Sequence, residues 1–142
     1  MASTLLGLVL DSSVLIAAER RKLTPEQVIE TVRKTAGEIP IVLSALTVAE
    51  IGHGIYRANT MEIRDRRRAF LDELKATVPI HPITEVTAEI VARIGGEQAS
   101  RGVSLPLGDL IIGACAVELG YAVGTSNVRD FGRIPDLNIV HL

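Results

Sequence analysis

The sequence contains little cysteine, few aromatic residues and no long apolar run. Its 142 residues include one cysteine, Cys115, no tryptophan, two phenylalanines and two tyrosines. A single cysteine excludes an internal disulfide and is typical of the reducing cytoplasm, where we expect this protein to reside. The apolar run near the N terminus is too short to span a bilayer and has no basic lead-in. We therefore expect neither a signal peptide nor contact with a membrane.

Strong net charge and the common nucleotide-binding and nucleophile motifs are also missing. The formal net charge is −2, which excludes a protein-wide basic field but leaves room for a local basic patch. No glycine-rich dinucleotide loop, phosphate-binding loop or nucleophile elbow is present. With 47% hydrophobic and 23% charged residues, the composition is that of a globular protein. The length predicts a single domain over residues 1–142.

One short apolar stretch, residues 5–10, indicates where the chemistry lies. Five of its six residues are apolar, and Asp11, Ser12 and Ser13 follow at once. Such a run is typical of a buried central strand in a parallel sheet. Asp11 then lies at the carboxyl end of that strand, the edge at which open α/β sheets bind ligands. Ser12 or Ser13 is expected to cap a helix over residues 14–20.

Helical and extended segments alternate along the rest of the chain. Thr24, Pro25 and Gln27 form a capping-box pattern, which predicts a helix that ends near residue 36. Further helices are predicted over residues 46–57, 61–75, 86–100 and 110–119, and extended segments over residues 39–43, 78–83, 121–125 and 137–140. Residues 127–133 are expected to form a polar loop. This alternation favours a three-layer α/β/α domain around a central, mainly parallel sheet.

Four acidic residues are candidates for the chemistry: Asp11, Glu50, Asp109 and Asp130. Each also has a structural interpretation, since Asp11 and Asp109 can stabilise helix starts, Glu50 can lie on an exposed flank, and Asp130 can fix a turn. Carboxylates that converge stay ionised only beside a cation, and otherwise one of them takes up a proton. All-oxygen sites suit Mg²⁺ or Mn²⁺. Phosphodiester hydrolysis is the reaction that such a site serves best.

Four segments of the sequence resemble the four motifs of PIN-domain nucleases and, more narrowly, those of VapC-type toxins of bacterial toxin–antitoxin pairs. They are residues 8–16, 44–55, 107–114 and 125–131, which follow in the same order and span almost the whole chain. The resemblance implies a PIN-like fold and a Mg²⁺- or Mn²⁺-dependent endoribonuclease. It also implies a cognate antitoxin protein as inhibitor and a homodimer as the assembly.

The resemblance assigns roles to individual acids. Asp11, Glu50 and Asp109 match the first three acids of the family, and all three are candidate metal ligands. Asp11 and Asp109 are the expected direct ligands. Glu50 is expected to act through water or to orient the nucleophile.

The fourth position of the family's pattern is ambiguous in this chain. Asn127 stands where many members have an aspartate, and Asp130 stands where others have one, so a second metal stays open. Asp130 is expected to act as Glu50 does. Ser12 and Thr125 match polar positions that support the acids or bind water.

Two basic segments are candidates for contacts to RNA phosphates. They are Arg64, Arg66, Arg67 and Arg68 in the predicted helix 61–75, and Arg20, Arg21 and Lys22 after the first helix. The structural interpretation is a solvated helix face. Because aromatic platforms for single-stranded bases are scarce, we expect a structured RNA (tRNA, rRNA or mRNA) recognised by shape.

Two other functions remain open from the sequence alone. One is a catalytically weak PIN scaffold that mainly binds a partner, for which the unusual fourth position is the sign. The other is a nuclease that acts on DNA or on flap structures.

Overall fold

A five-stranded sheet forms the centre of the protein, as seen in a computed structural model that describes residues 5–142. The elements follow in the order β1 (Leu8–Leu10), α1 (Ser12–Arg20), α2 (Pro25–Ala36), β2 (Ile41–Ser44), α3 (Ala45–Tyr56), α4 (Met61–Thr77), β3 (Ile80–His81), α5 (Glu85–Ser100), α6 (Leu107–Leu119), β4 (Ala122–Thr125), α7 (Val128–Phe131) and β5 (Ile139–His141). The strands are arranged β3-β2-β1-β4-β5, and every neighbouring pair is parallel. The sheet predicted as mainly parallel is thus parallel throughout the described residues.

The strand order reverses beside β1. The chain builds outward from β1 through β2 to β3, and then returns to place β4 on the other side of β1. The carboxyl ends of β1 and β4 therefore lie side by side at the switch point, the place where open α/β sheets bind ligands. Asp11 follows β1 at this edge, and its backbone N–H donates to the carbonyl of Gly124 in β4 at 2.9 Å.

Alternation along β1 distributes the core over both faces of the sheet. Leu8 and Leu10 pack with α1, α2, α3 and α4 on one face. Val9, between them, packs with α5, α6 and α7 on the other face. Since successive side chains of a strand point to opposite faces, three consecutive apolar residues are buried on both sides. The predicted three-layer α/β/α fold is confirmed.

Several helix starts follow the capping signals in the sequence. Thr24 accepts a hydrogen bond from the backbone N–H of Gln27, whose side chain accepts from the backbone N–H of Thr24, as predicted. Thr60 caps α4 by accepting a hydrogen bond from the backbone N–H of Ile63. At the other end, Gly120 closes α6 in a left-handed conformation that glycine adopts without a Cβ clash. The expected capping of α1 by Ser12 or Ser13 is wrong, because both lie inside the helix and Asp11 is the N-cap residue.

Other boundaries differ from those predicted. β1 begins at Leu8 rather than at residue 5, because pairing with β2 starts there, and Leu6 is 69% exposed. β2 and β5 each begin two residues later than predicted, and β2 follows Pro40, which has no N–H to donate. α6 begins three residues earlier than residue 110, which places Asp109 in its first turn. Residues 128–131 of the predicted polar loop form the short helix α7.

The longest helix of the described residues, α4, has 17 residues. A transmembrane helix needs about 20 predominantly apolar residues. No helix within residues 5–142 is long and apolar enough to cross a bilayer.

Candidate active site

Asp11 lies at the centre of the switch point and is held by two hydroxyl groups. The residue is 6% exposed. The Oδ2 atom accepts hydrogen bonds from Ser13 Oγ at 2.6 Å and from Thr125 Oγ1 at 2.8 Å. Within residues 5–142 no side chain donates to Oδ1. One oxygen of the carboxylate is thus fixed by the protein, and the other remains available to a ligand.

A second set of bonds ties Glu50 of α3 to the start of α1. Ser12 Oγ donates to Glu50 Oε1 at 2.7 Å and lies 2.8 Å from Thr47 Oγ1. A serine hydroxyl has one proton, so the hydroxyl of Thr47 donates to Ser12 while Ser12 donates to Glu50. Glu50 is exposed, as the alternative interpretation of an exposed helix flank predicted. Its carboxylate nevertheless reaches the edge of the site, where it accepts the bond from Ser12. Thr47 was not among the predicted site residues, although a threonine in an apolar helix was a signal for it.

A third set of bonds connects Asp130 to Asp11 through two other side chains. Asn127 Nδ2 donates to Asp130 Oδ2 at 2.9 Å. The backbone N–H of Asn127 donates to Thr125 Oγ1 at 2.8 Å, and Thr125 in turn donates to Asp11. Asn127 therefore supports Asp130, and both residues of the ambiguous fourth position belong to one network.

Asp109 shows that the acids converge. The pKa of its carboxyl is raised from 3.8 to about 6, first by burial and then, in decreasing order, by the carboxylates of Asp11, Asp130 and Glu50. Each of these acids comes from a different element, and all four share one electrostatic neighbourhood. A raised pKa is what the sequence predicts for one member of a carboxylate cluster without a cation.

The donor set fits a hard divalent cation that retains much of its water. Within residues 5–142, no three His, Cys, Asp or Glu side chains form a ready-made metal cage. Mg²⁺ does not need one, because proteins usually hold it through one or two carboxylates, several waters and the phosphates of the substrate. Asp11 Oδ1 and the carboxylate of Asp109 are the groups best suited to this task, since charge repulsion around Asp109 favours a cation. Zinc is a poorer match, because no cysteine or histidine is part of the cluster.

The arginines of α4 are largely used inside the protein. Arg66 Nε lies 2.8 Å from Glu19 Oε2, and Arg67 Nε lies 3.2 Å from Glu19 Oε1. Arg67 Nη1 also donates to the carbonyl of Gly54 at 2.7 Å. Glu19 is 5% exposed, so two arginines neutralise a buried charge. This pairing leaves less capacity for phosphate contacts than the sequence suggested.

The other two arginines of α4 have separate surroundings. Arg68 donates to the hydroxyl of Tyr56 at 3.0 Å, lies over its ring and forms a 3.7 Å ion pair with Asp72. The Nε of Arg64 is buried and has no hydrogen-bond partner in the described part of the chain. The predicted solvated basic face of this helix is therefore a mixture of ion pairs and partly buried guanidinium groups.

Comparisons with known proteins find relatives along nearly the whole chain. Residues 8–137 match the family model of the PIN domain. Ribonuclease VapC1 of Rickettsia felis is 31% identical over 135 residues, which cover 95% of this chain and 96% of that protein. Ribonuclease VapC of Rickettsia bellii is 29% identical over 135 residues, with the same coverage.

Solved structures with the same fold come from toxin–antitoxin complexes. VapBC-5 of Mycobacterium tuberculosis, a member of the VapBC family of toxin–antitoxin systems, is 27% identical with a TM-score of 0.73 over 96% of this chain and 99% of that chain. VapBC2 of Rickettsia felis, bound to a promoter DNA fragment, has a TM-score of 0.81 at 18% identity over 96% of this chain and 98% of that chain. The second likeness shows the fold alone.

Proposed function

The chain belongs to the PIN domain family and, within it, to the VapC ribonucleases, and we propose that it is a divalent-metal-dependent endoribonuclease that acts as the toxin of a toxin–antitoxin pair. The observation that carries the proposal is the hydrogen-bond network that holds Asp11, Glu50 and Asp130 at the switch point of the sheet. The raised pKa of Asp109, to which all three acids contribute, supports it. A half-buried acidic cluster of this kind can support phosphodiester hydrolysis when it binds a divalent cation together with a phosphate group.

Each residue of the cluster has a definite task in this proposal. Asp11 and Asp109 would hold Mg²⁺ or Mn²⁺, which when bound would neutralise phosphate charge and make a water more acidic. Asp130 and Glu50, whose carboxylate faces the site, orient the attacking water, and one of the two carboxylates takes its proton. The oxygen of that water bonds to phosphorus while the bond from phosphorus to the 3′ or 5′ ribose oxygen breaks, and the released oxygen takes a proton from solvent.

The hydroxyl and amide groups around the acids keep them in position. Thr125 and Ser13 hold Asp11, Ser12 holds Glu50, and Asn127 holds Asp130. Hydrogen bonds to one oxygen of a carboxylate set its orientation and leave the other oxygen free to bind. These residues are positioning residues, since they act through the acids.

The partner that we propose is a cognate antitoxin protein that holds the nuclease inactive. Support comes from the VapBC relatives, one of which is named as a member of a toxin–antitoxin family. The lone thiol of Cys115 is buried, which suits the cytoplasm as the place of action. A homodimer and a structured RNA target stay predictions from the sequence.

Cleavage of RNA by the purified protein tests the proposal. We expect wild type to cut cellular RNA at discrete sites in Mg²⁺ or Mn²⁺ and to be inactive in EDTA. Asp11→Asn should lower the rate by roughly a thousand-fold, which corresponds to about 4 kcal/mol of lost stabilisation in the transition state. Sequencing the new RNA ends measures the cut sites.

Asp136→Asn is the matched control, because it makes the same chemical change at an exposed loop residue. Equal cleavage by wild type and Asp11→Asn would refute the proposed chemistry. A folded wild type that cuts no RNA with any divalent metal, but binds its antitoxin, would favour the partner-binding scaffold instead.

A further inference from the structure

A cleft of about 430 Å³ opens beside the acidic site, between α1, α3 and α4. Glu50 lines its edge, and the same carboxylate accepts the hydrogen bond from Ser12 within the site. The cleft is therefore continuous with the cluster of acids. Its volume lies within the range of about 300–1,000 Å³ that is common for ligand-binding pockets.

The charges around this cleft favour an anion. Arg20, at the end of α1, and Arg57, just after α3, both line it and are exposed. Neither forms an ion pair with any described residue, in contrast to Arg66 and Arg67. The buried carboxylate of Glu19 is already neutralised by two arginines. Of the acids that line the cleft, only Glu50 at its edge then opposes the positive charge of Arg20 and Arg57. A basic cleft thus adjoins an acidic site in a protein whose net charge is −2.

The floor of the cleft is apolar. Leu15, Ile16, Ile51 and Phe70 line it beneath the two arginines. An apolar floor with a cationic rim matches the parts of a nucleotide, because a base or ribose covers apolar surface while the phosphate remains among donors. Two guanidinium groups also present the planar donor arrangement that binds phosphate oxygens in pairs.

We propose that this cleft binds a nucleotide of the RNA strand next to the scissile phosphate, and that Arg20 and Arg57 contact its backbone phosphates. This inference rests on the proposed ribonuclease function. It moves the phosphate contacts from the α4 arginines, of which Arg66 and Arg67 pair with Glu19, to Arg20, a candidate from the sequence, and Arg57, which was not one.

Steady-state cleavage at several salt concentrations tests the inference. With a labelled RNA that carries a wild-type cut site in its folded form, Arg20→Ala and Arg57→Ala should each raise KM about tenfold. Their kcat should stay within about twofold of wild type, because neither residue touches the reacting atoms. The slope of log KM against log salt should fall by about 0.7 for each arginine removed.

Two further variants separate a phosphate contact from a structural role. Arg57→Lys keeps the charge and should therefore keep most of the salt dependence of KM. If Arg57 only stabilised the end of α3, its charge would not affect this salt dependence. Arg93→Ala removes an exposed arginine of α5, on the opposite face of the sheet, and should behave as wild type. Anisotropy of a labelled random-sequence RNA in EDTA gives the same comparison without cleavage.

The outcomes distinguish this inference from the proposed function. If wild type cuts RNA but Arg20→Ala and Arg57→Ala match Arg93→Ala in KM and salt slope, the inference is overturned. If wild type does not cut RNA, the proposed function fails, and the anisotropy measurement still decides whether the cleft binds the RNA backbone.

Discussion

The hydroxyl of Thr125, the last residue of β4, donates a 2.8 Å hydrogen bond to Oδ2 of Asp11, the residue after β1. The two residues are 114 positions apart in the chain and meet because β4 pairs directly with β1. Thr125 is fully buried and also accepts a bond from the backbone N–H of Asn127. A single hydroxyl thus links the central acid to the segment that carries Asp130.

Replacing Thr125 tests how much this link matters for catalysis. Thr125→Val keeps the shape but removes the bond to Asp11 and leaves the N–H of Asn127 without its acceptor. We expect a 10–100-fold loss of activity, the usual effect of losing a residue that orients a metal ligand, and a loss of about 1–3 kcal/mol in stability. Thr125→Ser should restore most of both. Equal activity of the Val and Ser variants would contradict the positioning role.

Paired variants decide which residue occupies the fourth position of the site. Asp130 contributes to the raised pKa of Asp109, whereas Asn127 donates its amide to Asp130. We therefore expect Asp130→Asn to reduce kcat strongly, by about a hundred-fold, and Asn127→Ala to reduce it by about tenfold. Single-turnover cleavage measures both. A larger loss in Asn127→Ala than in Asp130→Asn would reverse the assignment.

Asp109 predicts an unusual pH dependence of stability in the absence of a divalent metal. Its pKa is about 6 in the folded protein and 3.8 as the ordinary value. The stability that its neutral form contributes is therefore complete below about pH 4 and is lost as the pH rises through about 6. Above that pH, Asp109→Asn should be more stable than wild type in EDTA. A two-unit shift corresponds to at most about 3 kcal/mol, and solvent screening at this half-buried site reduces it to roughly 1 kcal/mol.

Thermal unfolding at pH 4, 5 and 7.5 measures this difference. The gap between Asp109→Asn and wild type should be present at pH 7.5, shrink at pH 5 and vanish at pH 4. Addition of Mg²⁺ should stabilise wild type and not the variant, since bound ligand stabilises only the protein that binds it. A gap that is the same at all three pH values would argue against a raised pKa at Asp109.

The ion pairs of the buried Glu19 should contribute more to the free energy of unfolding than the exposed ion pairs do. Glu19→Gln leaves the guanidinium groups of Arg66 and Arg67 without their counter-charge in a partly buried setting. We expect a loss of about 2–3 kcal/mol, near the lower end for broken buried pairs because both arginines are partly exposed. Glu38→Gln breaks the exposed 3.6 Å pair with Arg33 and should cost less than about 0.5 kcal/mol. Urea unfolding of the two variants makes the comparison, and similar losses would show that Glu19 has no special role.

The secondary structure was largely predictable because its causes are local. Thr24, Pro25 and Gln27 form a capping box that depends only on neighbours in the chain, and Thr60 acts likewise. The errors fall at strand ends, where pairing with another strand decides the boundary. Leu6 has strand character in sequence but no partner in the sheet, and Ser12 was predicted to cap a helix that it in fact joins.

The site was predictable in composition and less so in arrangement. The position of Asp11 after an apolar run marks the carboxyl edge of a parallel sheet, whichever strand lies beside it. The pairing of Glu19 with Arg66 and Arg67 had no signal, because attraction between charges acts over a few ångströms of space and these residues are more than 40 positions apart. The cleft beside Glu50 could not be predicted from the sequence either, because its lining residues come mainly from three helices that meet only in the folded protein.

By itself the sequence determined the alternation of helices and strands, the acids available for chemistry and the family that they resemble. Side-chain periodicity, caps and apolar runs act between residues a few positions apart, so they can be interpreted without the fold. Only the tertiary structure decided that Asn127 supports Asp130 and that burial and three neighbours raise the pKa of Asp109. It also decided that Arg20 and Arg57 lie beside the site without an ion pair to any residue of the described range 5–142. Hydrogen bonds, desolvation and charge pairing depend on distances across the sheet, and those distances exist only after the chain has folded.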